Sequence, residues 1–368
     1  MLRPPTWAAL AAALTLALWP CEARAEGDGG PYFYQARPYG TQSLYSPLWV
    51  FLNRGFDVLQ TRTDRRAVFG QSYGLDARNV ADNLFVHPFS SVRDEGTEKF
   101  LREEILPLSY ARGTARWVPN YTLHLIGGGA TFAALREWSR AQGVAEPWGA
   151  VIAGATILSA AFVNETIENG GVVGRNTDAI ADFWVFDVGG MLLFSIDGVK
   201  RFFSHTLIVS DWSDQPSFTL PSGQLHDVGN HFVAKLPVPY FERLRLFAHY
   251  GLGTMGGLSY LLGDGYSVSA AAGSKVTRLT NTDTSAVANT ISFVPSAGLF
   301  VDRYESLLGS LRVADVPDYT VQLNVYPNAF VRTDPGVGMF GVVGKTGSVA
   351  AGVTLTRTFG VGVGYSGL

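Results

Sequence analysis

The side chains best able to do chemistry fall in one stretch of the chain. His124 comes first, Glu137 follows, then Asn164, Glu165, Glu168 and Asn169, and finally Asp178, Asp182 and Asp187. Each lies within or at the end of an apolar run, where a carboxylate is costly to bury without a partner. Asp178 and Asp182 are four apart and share one face of an α-helix, whereas Asp187 falls on a different part of it. If the runs pack antiparallel, the turn at 170–175 brings Glu165 and Glu168 close to Asp178 and Asp182. Together with His124, such a set could do acid–base catalysis, or hold a divalent cation through oxygen ligands. Arg136 and Arg175 could instead neutralise it, and Asn176 or Thr177 reads as an ordinary helix cap. The spacing names no cofactor and fixes no metal.

Other candidates are weaker. His87 precedes a proline at a turn. His226 and His231 flank Asp227 five residues apart, which matches no standard zinc helix. The chain has no G-x-S-x-G, H-E-x-x-H or Walker A sequence. Gly127, Gly128 and Gly129 lie in a helix-like run without the preceding strand that a phosphate loop needs.

Three apolar stretches must position these residues: 120–138, 148–169 and 176–203. Small residues crowd their middles, which lets helix backbones approach closely. The uninterrupted apolar part of the second, 149–163, is short of a bilayer span. The first carries His124 and the third three aspartates, so the favoured reading is a buried helical unit, with an inner-membrane bundle as the alternative. Upstream, 47–60 has helical spacing of Leu48, Phe51, Leu52, Phe56 and Leu59, and 97–106 reads as a charged helix ending before Pro107.

After about Ser204 the period changes to two. Val349, Ala351, Val353 and Leu355 alternate with Ala350, Gly352, Thr354 and Thr356, and Phe359, Val361, Val363 and Tyr365 alternate with glycines. Further strand-like runs are 243–251, 265–279, 289–301 and 337–344. An apolar face backed by a small or polar one suits a membrane barrel, in which every backbone group is paired within the sheet. At lipid-spanning strand length, the remaining residues allow roughly 8–12 strands. A soluble sandwich shows the same alternation.

The first residues bear on compartment. Arg3, the apolar run Trp7 to Trp19 and Ala23-Arg24-Ala25 have the form of a secretory signal peptide. Cys21 is the only cysteine, and with residues 1–25 removed no disulfide can form. The net charge of −3 argues against nucleic acid as a partner. Charged residues make up only 16% and glycine 42 of 368 residues, a balance that fits lipid contact and excludes a disordered chain.

The helical stretch resembles VanZ-like envelope proteins. The similarity rests on Tyr121-Thr122-Leu123-His124, Asn164-Glu165-Thr166-Ile167-Glu168, Asp178-Ala179-Ile180-Ala181-Asp182 and the pair Gly189-Gly190. The resemblance covers fewer than 90 residues and implies a membrane-associated helical module, with no activity attached.

The expected fold is therefore α+β. It comprises a signal peptide (1–25), an extended arm with short helices (26–116), a module of about three apolar helices (117–203) and an antiparallel membrane-type barrel (204–368). The expected setting is the outer membrane of a bacterial envelope, with membrane lipid as partner. The expected role is structural, or passage of a small or lipidic molecule. The alternative is an enzyme acting on lipid or glycolipid through His124, Glu165, Glu168, Asp178 and Asp182.

Overall fold

A computed structural model describes residues 30–61, 68–70, 72–106, 119–220, 222–281 and 289–367. The expected signal segment and Cys21 lie outside the described residues. The chain combines a helical part with one large, mostly antiparallel sheet, so the α+β expectation holds.

Pro47 opens helix α1 (Pro47–Phe56), and the Ser46 hydroxyl caps it by accepting from the Trp49 N–H at 3.1 Å. A 3₁₀ segment, Asp57–Thr61, continues it to the end of the run read as helical. Helices α2 (Tyr73–Ala81) and α3 (Pro88–Glu95) follow. The charged run 97–106 forms Thr97–Phe100 and then a π-helical turn, Leu101–Ile105.

The first apolar stretch winds as a π-helix over Asn120–Gly128 and as an α-helix over Gly129–Ala141; together these form α4. Helix α5 (Glu146–Asn169) ends at Gly170 in the left-handed conformation. Helix α6 starts at Thr177–Ile180, passes through a π-helical turn at Ala181–Asp187 and ends at Val188–Leu193. Helix α7 is Asp197–Arg201, extended by Phe202–Thr206.

The expectation of about three apolar helices needs correction. Among the described residues only α5 is by itself long and apolar enough to cross a membrane, and its 24 residues exceed the 149–163 core read from the sequence. Charged Arg136, Glu137 and Arg140 interrupt α4, and the chain bends by 89° between α6 and α7. Close approach of α4 and α6 depends on Gly190, where a Cβ would lie 2.5 Å from the Leu125 carbonyl oxygen.

The sheet has thirteen strands in the order β1-β4-β5-β6-β7-β8-β9-β10-β11-β12-β13-β2-β3. Strands β4 (Phe232–Val238), β5 (Phe241–Gly251), β6 (Gly253–Gly263), β7 (Tyr266–Asn281), β8 (Asn289–Arg303), β9 (Ser306–Ala314), β10 (Val321–Val325), β11 (Val337–Val343), β12 (Val349–Leu355) and β13 (Gly362–Ser366) form an antiparallel meander. Three short strands take the count above the expected range: β1 (Ser210–Asp211), β2 (Ser217–Thr219) and β3 (Gln224–His226). Two or three residues are too few for alternation to register in sequence.

Strand pairing does not close the sheet into a ring, since β1 and β3 are its two ends. β2 pairs in parallel with β13 and β1 pairs with β4. Between them, the Trp212 N–H donates to the His231 carbonyl at 2.8 Å and the Asp214 N–H to the Gly229 carbonyl at 3.0 Å.

Register aligns the two faces across many strands. One row runs Leu236, Leu246, Leu258, Ala270, Leu299, Leu311, Leu323, Gly341, Ala351 and Tyr365. Its large members are exposed. The next row inward contains Lys235, Phe247, Gly257, Ala271, Gly298, Arg312 and Gln322. Of these, Lys235, Phe247, Ala271, Gly298 and Gln322 are buried. The inner face thus buries polar residues beside apolar ones, while the outer face presents a row of exposed apolar side chains.

The inner face is packed. Trp212, Phe247 and Phe300 pack on one another, with Tyr326 buried nearby, and this cluster continues into Trp49, Phe132, Leu135 and Ile157 of the helices. Lys235 is fully buried and pairs with Asp302 at 2.7 Å and Glu305 at 2.6 Å.

Candidate functional site

Helices α4 and α6 bring His124 between two aspartates. Its Nε2 lies 3.4 Å from Asp182 Oδ2, and its Nδ1 lies 3.2 Å from Asp187 Oδ1. Asp187 is fully buried and forms an ion pair with Arg54 of α1, which also donates to the Leu123 carbonyl at 3.3 Å. The sequence reading set Asp187 apart from Asp182 because five residues do not align on a 3.6-residue helix. The segment from Ala181 to Asp187 is π-helical, and its i to i+5 winding puts the two carboxylates on the same side.

Beside this group lies a cavity of about 290 Å³. Its helical wall includes Arg54, Asp57, His124, Asn164, Asp178 and Asp182, and Glu168 also reaches it. Its other wall comes from the sheet: Leu252 and Thr254 at the β5–β6 connection, Ser274 and Val276 of β7, and Phe293 of β8. The structure therefore gathers His124, Glu168, Asp178 and Asp182 around one space. Glu165 is buried and does not line that space, but its charge reaches Asp182.

Burial pushes the Asp182 carboxyl well above the ordinary aspartate range, and Asp178, Glu165, Glu104 and Asp187 act in the same direction. Its Oδ1 is buried without a hydrogen-bond partner. Asp57 is pushed up to about 7 by burial, although Arg54 and a 2.6 Å hydrogen bond donated by Asn164 act against this. Protonated carboxyls on a cavity wall can donate as well as accept, which is the state acid catalysis needs.

The other sequence candidates lie elsewhere. Glu137 accepts hydrogen bonds from the backbone N–H groups of Tyr32, Phe33 and Tyr34 at 2.7–2.8 Å, and so fastens the arm to α4. Arg136 donates to Glu146 at 2.6 Å and takes no part in the acidic group. Asn169 donates to Asp76 of α2 at 2.9 Å. Asn176 caps α6 by accepting from the Ala179 N–H at 3.0 Å. His87 lies 3.0 Å from Asp82. Among the described residues no group of His, Cys, Asp and Glu has the geometry to hold a metal ion.

His226 and His231 do not converge. The His226 ring lies 2.6 Å from the Tyr319 hydroxyl, while His231 Nε2 lies 3.3 Å from Asp214. Asp227 accepts from the Gln215 N–H and from Asn324, both at 3.0 Å. Asp214 pairs with Arg312. Burial alone would raise Asp214, but Arg312 and His231 hold it well below the usual carboxylate range. This network ties the 212–231 segment to the inner faces of β9 and β10.

Sequence reasoning missed Arg54 and Asp57. They lie about 70 residues ahead of His124, in a segment whose only visible signal was helical spacing. Comparison of the chain with family models, curated proteins and solved structures finds no match.

Proposed function

We propose that the chain is an outer-membrane-type envelope protein. In this reading its sheet acts as a barrel-like wall in lipid, and its helical part forms a seat for a small or lipidic molecule. The observation that carries this is the apolar row from Leu236 to Tyr365, ten registered positions without a charge, backed by buried Lys235 and Gln322. Water would penalise such a face, whereas lipid would not. A second support is the ring of exposed aromatics at one end of the meander, Tyr240, Phe241, Tyr304, Phe330 and Phe359, as at a membrane–water boundary.

A third support is continuity. The stretch 210–219 contains both β1 and β2, so one piece of chain pairs with β4 at one end and β13 at the other. The packed Trp212, Phe247 and Phe300 favour holding or handing over a molecule rather than free diffusion through a pore. The test is cell fractionation with gel mobility before and after boiling in SDS. Recovery in the membrane fraction with heat-modifiable mobility is expected; a soluble periplasmic protein would end this reading.

A second reading, an enzyme acting on lipid or glycolipid, is favoured by His124 held between Asp182 and Asp187 beside the cavity. Envelope lipids compared between wild type, Glu165→Ala and Asp182→Asn test it. An altered profile is expected, and an unchanged one counts against it.

A further inference from the structure

The cavity combines polar and apolar lining, and the combination specifies a ligand. The helical wall carries Asp57, Asp178 and Asp182 with Asn120 and Asn164, beside apolar Val58, Leu123 and Ala161. Its one guanidinium, Arg54, is taken up by Asp187. The opposite wall carries Leu252, Val276 and Phe293 beside Thr254 and Ser274, and Phe293 is exposed. The space thus offers both polar and apolar contacts. At about 290 Å³ it suits one head group rather than a whole lipid.

The second, independent observation is Asp182. Its side chain is 9% exposed, it lines the cavity, and its Oδ1 has no hydrogen-bond partner. Its other oxygen is held by His124, which Asp187 orients in turn. A buried carboxyl oxygen left without a partner, on a side chain that lines a cavity, calls for a ligand hydroxyl. An anionic head would meet acidic side chains, and the lining guanidinium, Arg54, is already paired with Asp187.

We infer that this cavity seats the uncharged, hydroxyl-rich head of a glycolipid-like amphiphile, with Asp182 bonding a head hydroxyl and the chain leaving past Leu252, Val276 and Phe293. This rests on the reading of a seat for a small or lipidic molecule. It adds the head-group class and the residue that reads it.

The test is calorimetric binding to the full chain exchanged into amphipol. The probes are hexyl glucoside, hexyl phosphate, hexylammonium and hexanol. Hexyl glucoside should bind tighter than each of the others by about tenfold or more, because the site rejects analogues that leave its polar groups unpaired. Asp182→Leu should remove that preference while hexanol binding persists. Leu252→Trp, which fills the apolar exit, should weaken hexyl glucoside and hexanol together, and it serves if Asp182→Leu does not fold. Tighter binding of the phosphate or the ammonium, equal binding of hexanol, or hexyl glucoside affinity unmoved by either substitution would overturn the inference. Heat-modifiable mobility is read on the same samples, so loss of the membrane reading and loss of the ligand reading are told apart.

Discussion

At the scale of single residues, the decisive contact is the ion pair between Arg54 and Asp187, both buried. Removing one partner leaves the other charge stranded in a low-dielectric interior. Asp187→Ala should therefore lower stability by about 3–5 kcal/mol, read as a shift in the urea midpoint, and Arg54→Ala/Asp187→Ala should recover part of the loss. Asp57 gives a pH signature. Its folded-state pKa of about 7 lies above that of the unfolded chain, so the folded protein holds this proton more tightly. The resulting stability is complete below about pH 4, declines as pH rises toward 7, and is gone above it. Asp57→Asn should flatten the stability–pH curve across that window, and a curve as steep as wild type would refute the assignment. The carboxylates of this site were legible in the sequence because they interrupt apolar runs. Their alignment was not, because a π-helical turn leaves no mark in a 3.6-residue pattern.

At the scale of elements, Glu137 shows how a helix and an arm become one unit. Three consecutive N–H groups of residues 32–34 converge on its carboxylate, and the Tyr32 hydroxyl adds a 2.8 Å bond to Asp197. Glu137→Ala should free this stretch without unfolding the sheet. Limited proteolysis between residues 30 and 46 should become faster by roughly tenfold or more, from the loss of charge-assisted bonds each worth ~1.5–3 kcal/mol. Glu137 reads in sequence as the polar end of a helix, and nothing near it points to a partner a hundred residues earlier. Strands were the more legible elements. The runs 243–251, 289–301 and 337–344 lie on β5, β8 and β11 because alternation over seven or more residues is a strong local signal. β1, β2 and β3 carry no such signal. Their positions depend on long-range bonds, such as Gln215 donating to Asn324 at 2.9 Å.

For the molecule as a whole, the outward apolar rows set the prediction that best separates lipid from water. Leu311 and Leu323 are registered neighbours on β9 and β10, and both are exposed. If lipid covers them, Leu311→Arg or Leu323→Arg should each destabilise the protein in bilayers by about 2–4 kcal/mol. In water the same changes on an exposed face would cost almost nothing. Unfolding in liposomes of wild type and each variant makes the comparison, and unchanged stability in both would place that face in solvent. Alternation gave the character of this half of the chain. The match of row to row needed the register, which no single strand contains.

The parallel pairing of β2 with β13 orders the assembly of the protein. Residues 217–219 are made early and their neighbours 362–364 some 140 positions later, so the early stretch must wait with an open edge. Until then β2 is held by its hairpin with β3, by Phe218 packed on the cluster that includes Phe56 and Leu225, and by the bonds of 212–215. A chain stopped before Gly362 would keep nearly all its hairpins yet expose two unsatisfied backbone edges at once. Such a fragment is the natural client for a chaperone or a protease.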